Sequence, residues 1–202
     1  MQPVYSRGNC ERRAAEVLVR WQRETNQALC FPIDVDLIGE ILFQLTFDWT
    51  MIPEPEGAPI WARLTPEKRL IEMNERRKTE LIGNAGLDRY SRAHELGHWE
   101  LHAIQPCTSQ LSLLEVDPTG ETVFCRGRND ESWLEKHADW FAAGLLMPRD
   151  LFKDVARSLD LTSWPNVLKL KDLCDVSLTA LCVRLEQCGC RWVNRDGVLH
   201  PH

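Results

Sequence analysis

The chain has 202 residues, of which 44% are hydrophobic and 27% charged, the composition of a folded globular protein and not of a disordered or fibrous one. Its formal charge of -6 is the wrong sign for a protein whose main task is to grip phosphate backbones. Met1 to Arg13 has basic residues but no apolar stretch behind them, and no segment approaches the ~18 consecutive apolar residues of a membrane span, so a cytoplasmic protein with no direct nucleic-acid or membrane partner is expected.

Taken in chain order, the first element is an amphipathic helix over Cys10 to Gln27, with Ala14, Val17, Leu18 and Trp21 on one face. Pro32 breaks the pattern, and an aspartate in N-cap position precedes a second helix over Leu37 to Phe43. Leu45 to Ile52 and Arg77 to Ile82 read as strands of a small antiparallel sheet, separated by the proline-rich stretch Pro53 to Pro66 and a polar segment. Helical spacing returns from Ser91 to Ile104. Gln105 to Gly120 reads as loop, Glu121 to Arg126 as a further strand, and Glu131 to Leu146 as a strong helix stopped by Pro148. Helices over Arg149 to Leu159, Val167 to Asp175 and Leu178 to Cys188 follow, then a short strand or tail from Arg191 to His202. No internal repeat is present.

The eight cysteines are read as reduced and mostly buried, since no export signal accompanies them. Cys188-Gly189-Cys190 lacks the two-residue spacer and second pair of a structural zinc site.

The chemistry-bearing motif is His94-Glu95-Leu96-Gly97-His98, inside a predicted helix. Histidines at i and i+4 leave one helical face a turn apart, so both rings can reach one metal ion. Glu95, one position on, can take a proton from water activated by that ion without being a ligand. A five-residue pattern also arises as a helix with two unrelated histidines, so the third ligand matters, because catalytic zinc usually takes three from the protein. Glu135 supplies one, in Glu135-Lys136-His137-Ala138-Asp139, where Asp139 shares its face and can orient a ligating histidine. His137 falls on another face and is a weaker candidate. His102 extends the stripe of the first helix, but i, i+4 and i+8 on a straight helix span about 12 Å, too far for one ion. A supporting or packing role suits His102 better.

These residues, with Trp99-Glu100-Leu101-His102 after the motif and Phe141-Ala142-Ala143-Gly144-Leu145-Leu146-Met147-Pro148 after Glu135, resemble the ImmA/IrrE metallopeptidase family. Pro32 to Ile38 looks like that family's first helix start, and Val176-Ser177 through Arg184-Leu185 like its last helix, so the likeness covers roughly residues 10 to 190. The resemblance implies an α+β, zincin-like fold, mostly helical with a small antiparallel-containing sheet and an active-site helix. It implies zinc (manganese being the alternative ion) on His94, His98 and Glu135, with Glu95 as catalytic base. It also implies a regulatory endopeptidase whose partner and substrate is a helix-turn-helix transcriptional repressor. His137 and Asp139 depart from the family's usual residues at their positions. The domain division expected is residues 1–160 for the metallopeptidase unit and 161–202 for a helical extension packed on it.

A different class of function is a binding or regulatory module with a structural metal; Glu95 speaks against it, since a closed structural site needs no base. The last two helices have the outline of helix-turn-helix, but the second carries only Arg184 as a base, so packing or substrate docking is the expectation. Trp99, Trp133 and Trp140 are read as core. Tyr90 and His137 stand as candidate donors to the oxyanion.

Overall fold

The computed structural model of the chain describes residues 5–103, 115–116, 122–127, 133–194 and 197–201. Helix α1 spans Arg7–Thr25 and buries the predicted stripe of Cys10, Ala14, Val17, Leu18 and Trp21, with the Ser6 hydroxyl accepting from the Asn9 N–H at its start. Helix α2, Val35–Phe43, is capped by Asp34, whose carboxylate accepts from the Leu37 N–H at 3.0 Å; Asp36 therefore sits in the first turn, where it complements the helix dipole.

Strand β1 is Thr46–Thr50, β2 Ile60–Thr65 and β3 Leu70–Asn74. Further on, β4 (Glu115–Val116) and β5 (Thr122–Gly127) complete a sheet in the order β1-β3-β2-β5-β4, parallel between β1 and β3 and antiparallel elsewhere. Three of these strands, β2, β3 and the short β4, were not expected. In β2 and β3 nearly every residue is buried, Ala62, Leu64, Ile71 and Met73 completely, so inside-outside alternation is lost and the period-two signal with it. Conversely, the strand expected over Arg77 to Ile82 is a 3-10 turn, Glu75–Arg77, running into a short helix α3, Lys78–Ile82. Asn74 drives the change of structure: its side-chain oxygen accepts from the Arg76 N–H at 3.1 Å, and its amide donates to the Ile60 carbonyl at 2.8 Å.

Helix α4, Ala85–His98, packs on β2, β3 and β5 and continues as a wider π-type turn, Trp99–Ala103. Helix α5, Trp133–Leu146, lies against both α4 and α1. Then come α6 (Arg149–Arg157), α7 (Trp164–Cys174), α8 (Leu178–Gln187) and a terminal hairpin, β6 (Arg191–Val193) with β7 (Leu199–Pro201). The architecture is α+β and zincin-like, mostly helical, with the motif-bearing helix laid on a small mixed sheet. The loop read over Gln105 to Gly120 lies, apart from β4, outside the described residues, as do Met1 to Val4, Glu131 and His202.

Residues beyond 160 are joined to the motif-bearing helix by close contact. A Cβ added to Gly86 on α4 would lie 2.7 Å from the backbone N of Ser177 and 2.8 Å from the carbonyl carbon of Val176, so only glycine permits the approach of the α7–α8 turn. Arg89 adds an ion pair to Asp175 at 2.7 Å. Among the described residues no helix is long and apolar enough to cross a membrane. Cys10, Cys30, Cys174, Cys182, Cys188 and Cys190 are free thiols, with Cys10, Cys174 and Cys188 buried.

Candidate metal centre

The i, i+4 spacing in α4 does what helical geometry requires: the rings of His94 and His98 stand one above the other, centroids 4.7 Å apart. Helix α5 brings Glu135 to them from its first turn. Its Oε2 lies 3.0 Å from His94 Nε2 and its Oε1 3.0 Å from His98 Nε2, while the two Nε2 atoms are themselves 3.0 Å apart. This convergence depends on a small-residue contact between the helices. A Cβ on Gly97 would fall 2.9 Å from Ala138 Cα and 3.1 Å from its carbonyl oxygen, so any side chain there forces α4 and α5 apart.

The donor set fits a cation. His94, His98 and Glu135 are buried and offer ligand atoms within 4.8 Å of one another, the sole such group among the described residues. A tetrahedral ion with bonds of roughly 2.0–2.1 Å separates its ligand atoms by about 3.3 Å, close to the spacings here, and two imidazoles with one carboxylate is a donor set that zinc accepts while leaving a position open.

Electrostatics supports the same reading. Burial pushes the Glu135 carboxyl up, but hydrogen bonds from His94 and His98 outweigh it and hold the group well below the usual carboxylate range. Burial depresses His98 despite the neighbouring Glu135, and burial followed by His98 and His137 pushes His102 down to about 2. His98 is therefore neutral near pH 7, the form in which imidazole ligates metal.

Behind the ligand atoms, each histidine is held through its other nitrogen. His94 Nδ1 meets Asp139 Oδ1 at 2.9 Å, as the shared face of Glu135 and Asp139 led us to expect. His98 Nδ1 meets His102 Nδ1 at 3.2 Å, which places His102 in support of a ligand and not at the ion. Tyr90 is corrected: its hydroxyl donates to Asp139 Oδ1 at 3.0 Å, on the Nδ1 side of His94 and so away from the ligand atoms, where it braces the site instead of facing an oxyanion. His137 packs in an aromatic cluster with Tyr5, His102, Trp133 and Trp140. Of the three tryptophans read as core, Trp99 is buried but Trp133 is 57% exposed. Glu95 is completely buried.

Sequence reasoning missed two supports. One is the Gly97–Ala138 contact, whose only trace is a pair of small residues on facing helices. The other is the π-type turn, fastened by Glu100, which is buried and receives Arg13 Nη2 of α1 at 2.6 Å. Nothing in the sequence links positions 13 and 100.

Compared with known proteins, residues 84–186 match the sequence profile of the IrrE N-terminal-like domain, peptidase family M78. The chain belongs to this family. The matched span contains both helices that carry the candidate ligands and the helices that follow. No curated protein matches the sequence. Among solved structures, a Mycobacterium tuberculosis transcriptional regulator is similar, with a TM-score of 0.51 at 15% identity over 95% of this chain and 54% of that one. At that identity the likeness concerns the fold, and this chain spans about half the length of the regulator. A metallopeptidase-type fold is thus shown, with His94, His98 and Glu135 placed so that they could hold a metal ion.

Proposed function

We propose that this M78-family protein is a zinc-dependent endopeptidase of narrow specificity, working in the cytoplasm on a helix-turn-helix transcriptional repressor. One observation carries the enzymatic part: three ligand atoms from two helices converge on one point, with the buried carboxylate of Glu95 in the same helical turn as His94 and His98. Zinc in such a site polarises a carbonyl and brings the pKa of water towards neutrality; manganese is the alternative ion.

The chain's own residues do the rest. With zinc bound, His94 and His98 would each offer a neutral nitrogen and Glu135 one negative charge, which would leave the centre cationic overall. Asp139 and His102 fix the two rings from behind, so the ligand geometry is preorganised. Glu95 would take a proton from the attacking water and return it to the leaving amine, a role that suits a buried carboxylate one position from the ligating His94. The substrate class follows from the family resemblance, and a fold shared with a transcriptional regulator agrees with a regulatory setting.

The test is a pair of variants. Glu135→Ala purified without added metal should lose the roughly one zinc per chain that wild type retains. Glu95→Gln should keep that zinc and lose cleavage of a repressor encoded nearby by at least about a hundred-fold, the lower range for a positioned acid–base group. Full cleavage by Glu95→Gln would remove the enzymatic reading; a metal-containing binding module would then be the better one.

A further inference from the structure

Where α6, the end of α8 and β6 meet, the chain encloses a cavity of about 300 Å³, and none of His94, His98 and Glu135 lines it. That volume is at the lower edge of the roughly 300–1,000 Å³ range of ligand pockets. Lys153 and Arg157 reach it from α6, one turn apart on the same helical face, and Arg191 reaches it from β6. In a chain of formal charge -6 this is a local concentration of the opposite sign.

The fold does not need these cations. Lysine and arginine near a helix C-terminus commonly serve its unpaired carbonyls and its dipole. In α8 those carbonyls are already taken: Arg184, Leu185 and Glu186 accept from the N–H groups of Cys188, Cys190 and Gly189, and Gln187 accepts from Arg149 at 3.1 Å. Lys153 precedes the last turn of α6, to which the dipole effect is confined. Neither Lys153 nor Arg191 enters an ion pair or a side-chain hydrogen bond among the described residues, although both are half-buried. Arg157 pairs with Asp154 at 3.3 Å, but the two side chains are 71% and 73% exposed, and a pair in that setting adds little and rearranges easily.

We propose that this cavity binds a phosphate group, free or carried as a monoester on a small molecule. Charge selects the ligand. Thr162 donates its hydroxyl and its N–H to Asp160, the carboxylate of the lining, and holds it below its ordinary value, so it stays ionised. Burial raises the Cys190 thiol despite Lys153, Arg157 and Arg149 nearby, so it is neutral at pH 7 and cancels none of the positive charge. Three cations against one carboxylate leave two positive charges in excess, which matches the charge of about -1.5 to -2 that a phosphate monoester carries at pH 7. A carboxylate ligand would answer only half of it. The arginine forks suit phosphate oxygens, and the lysine meets them as a point charge. At Gly189, also in the lining, an added Cβ would meet nothing within 4 Å, which leaves that side of the cavity open to a ligand.

The experiment titrates the full chain with inorganic phosphate, glycerol 3-phosphate and acetate at constant ionic strength and about pH 7.5, where phosphate is mostly dianionic, and reads affinity by calorimetry. Phosphate or its ester should bind with a Kd of about 1 mM or tighter, and acetate at least about ten-fold more weakly, the worth of one charge-assisted hydrogen bond. The tighter of the two phosphates names the source. Lys153→Gln and Arg191→Gln should each weaken binding about ten-fold or more, whereas Lys169→Gln, an exposed lysine of α7 outside the lining, should leave it unchanged. At about pH 5.5 wild-type binding should be weaker, because phosphate loses a charge near pH 6. No binding at about 10 mM, or acetate binding as tightly as phosphate, overturns the proposal. Glu135→Ala should bind phosphate as wild type does; loss of binding there puts the anion on the metal and overturns it. Binding that survives in the Lys153→Gln, Arg191→Gln double variant lies elsewhere and overturns it too.

Discussion

Two buried polar clusters sit at the two ends of α5, and they solve the problem of buried charge in opposite ways. At the C-terminal end Arg184 of α8 caps the helix through the Met147 carbonyl and pairs with Glu11 of α1, donor matched to acceptor. At the N-terminal end Glu135, His94 and His98 aim three ligand atoms at one point. The first cluster is closed and ties three helices together. The second directs its ligand atoms at one another across a point where they could hold a metal ion. Burial and polar content do not distinguish structure from function here; the direction of the ligand atoms does.

The largest effect should come from breaking the closed cluster. Arg184→Ala leaves Glu11 facing α8 without its main partner, and losing one member of a buried pair costs about 3–5 kcal/mol. Urea unfolding should show that loss, with zinc stoichiometry in the folded fraction unchanged; zinc lost in parallel with stability would mean that the two clusters are one. The pair also has a pH signature. Burial raises the Glu11 carboxyl, but Arg184, with Arg149 and Arg7, more than reverses this and leaves it below its ordinary value of 4.5. A carboxylate depressed in the folded state contributes stability above its unfolded pKa and loses it as pH falls through the folded one. Stability measured downward from pH 6 should therefore fall below about 4.5, and that acid limb should shrink in the Arg184→Ala protein.

Next in size is Gly97→Ala, which targets the other end. One methyl group meets the Ala138 backbone at 2.9 Å, and since backbone cannot rotate away, α4 and α5 must separate. Overpacking of this kind costs about 1–3 kcal/mol, less than the Arg184 change, but zinc affinity should drop sharply because the ligands come from the two helices being pushed apart. Unchanged zinc affinity would show that the cluster tolerates a wider spacing than its 3.0 Å contacts indicate.

The difference between the clusters also explains what the sequence made legible. The candidate metal centre was readable because each half of it is local: His94 and His98 share one helix face and Glu135 and Asp139 another, while the need for a third ligand and the family resemblance joined the two halves. Helices α1, α5 and α8 were readable through a 3.6-residue apolar stripe, and α4 only from Ser91 onward although it starts at Ala85. The Arg184 cluster was not, because its partners are 37 and 173 positions away along the chain and a lone arginine on an apolar helix reads as a surface base. Strands β2 and β3 were hidden by burial on both faces, and Arg77 to Ile82 mimicked a strand until the Asn74 side chain turned the backbone. Long-range hydrogen bonds and two-sided burial leave no periodicity to read.

The smallest effect tests how far support for the metal centre extends. If His94 is oriented by Asp139 and Asp139 by Tyr90, removing each successive partner should matter less. Asp139→Ala should weaken zinc binding by about 10–100-fold, the usual worth of a partner hydrogen-bonded to a ligand, with little effect on apo stability because the side chain is 47% exposed. Tyr90→Phe deletes one hydroxyl whose 3.0 Å bond to the Asp139 carboxylate stands one step behind His94, so its loss should be less than about ten-fold. Competition with a chromophoric chelator measures both, and the double variant is decisive. In an Asp139→Ala background Tyr90→Phe should have no further effect on zinc affinity, because its route to His94 is gone. An equal effect in both backgrounds would mean that Tyr90 acts by packing, and the chain of support would end at Asp139.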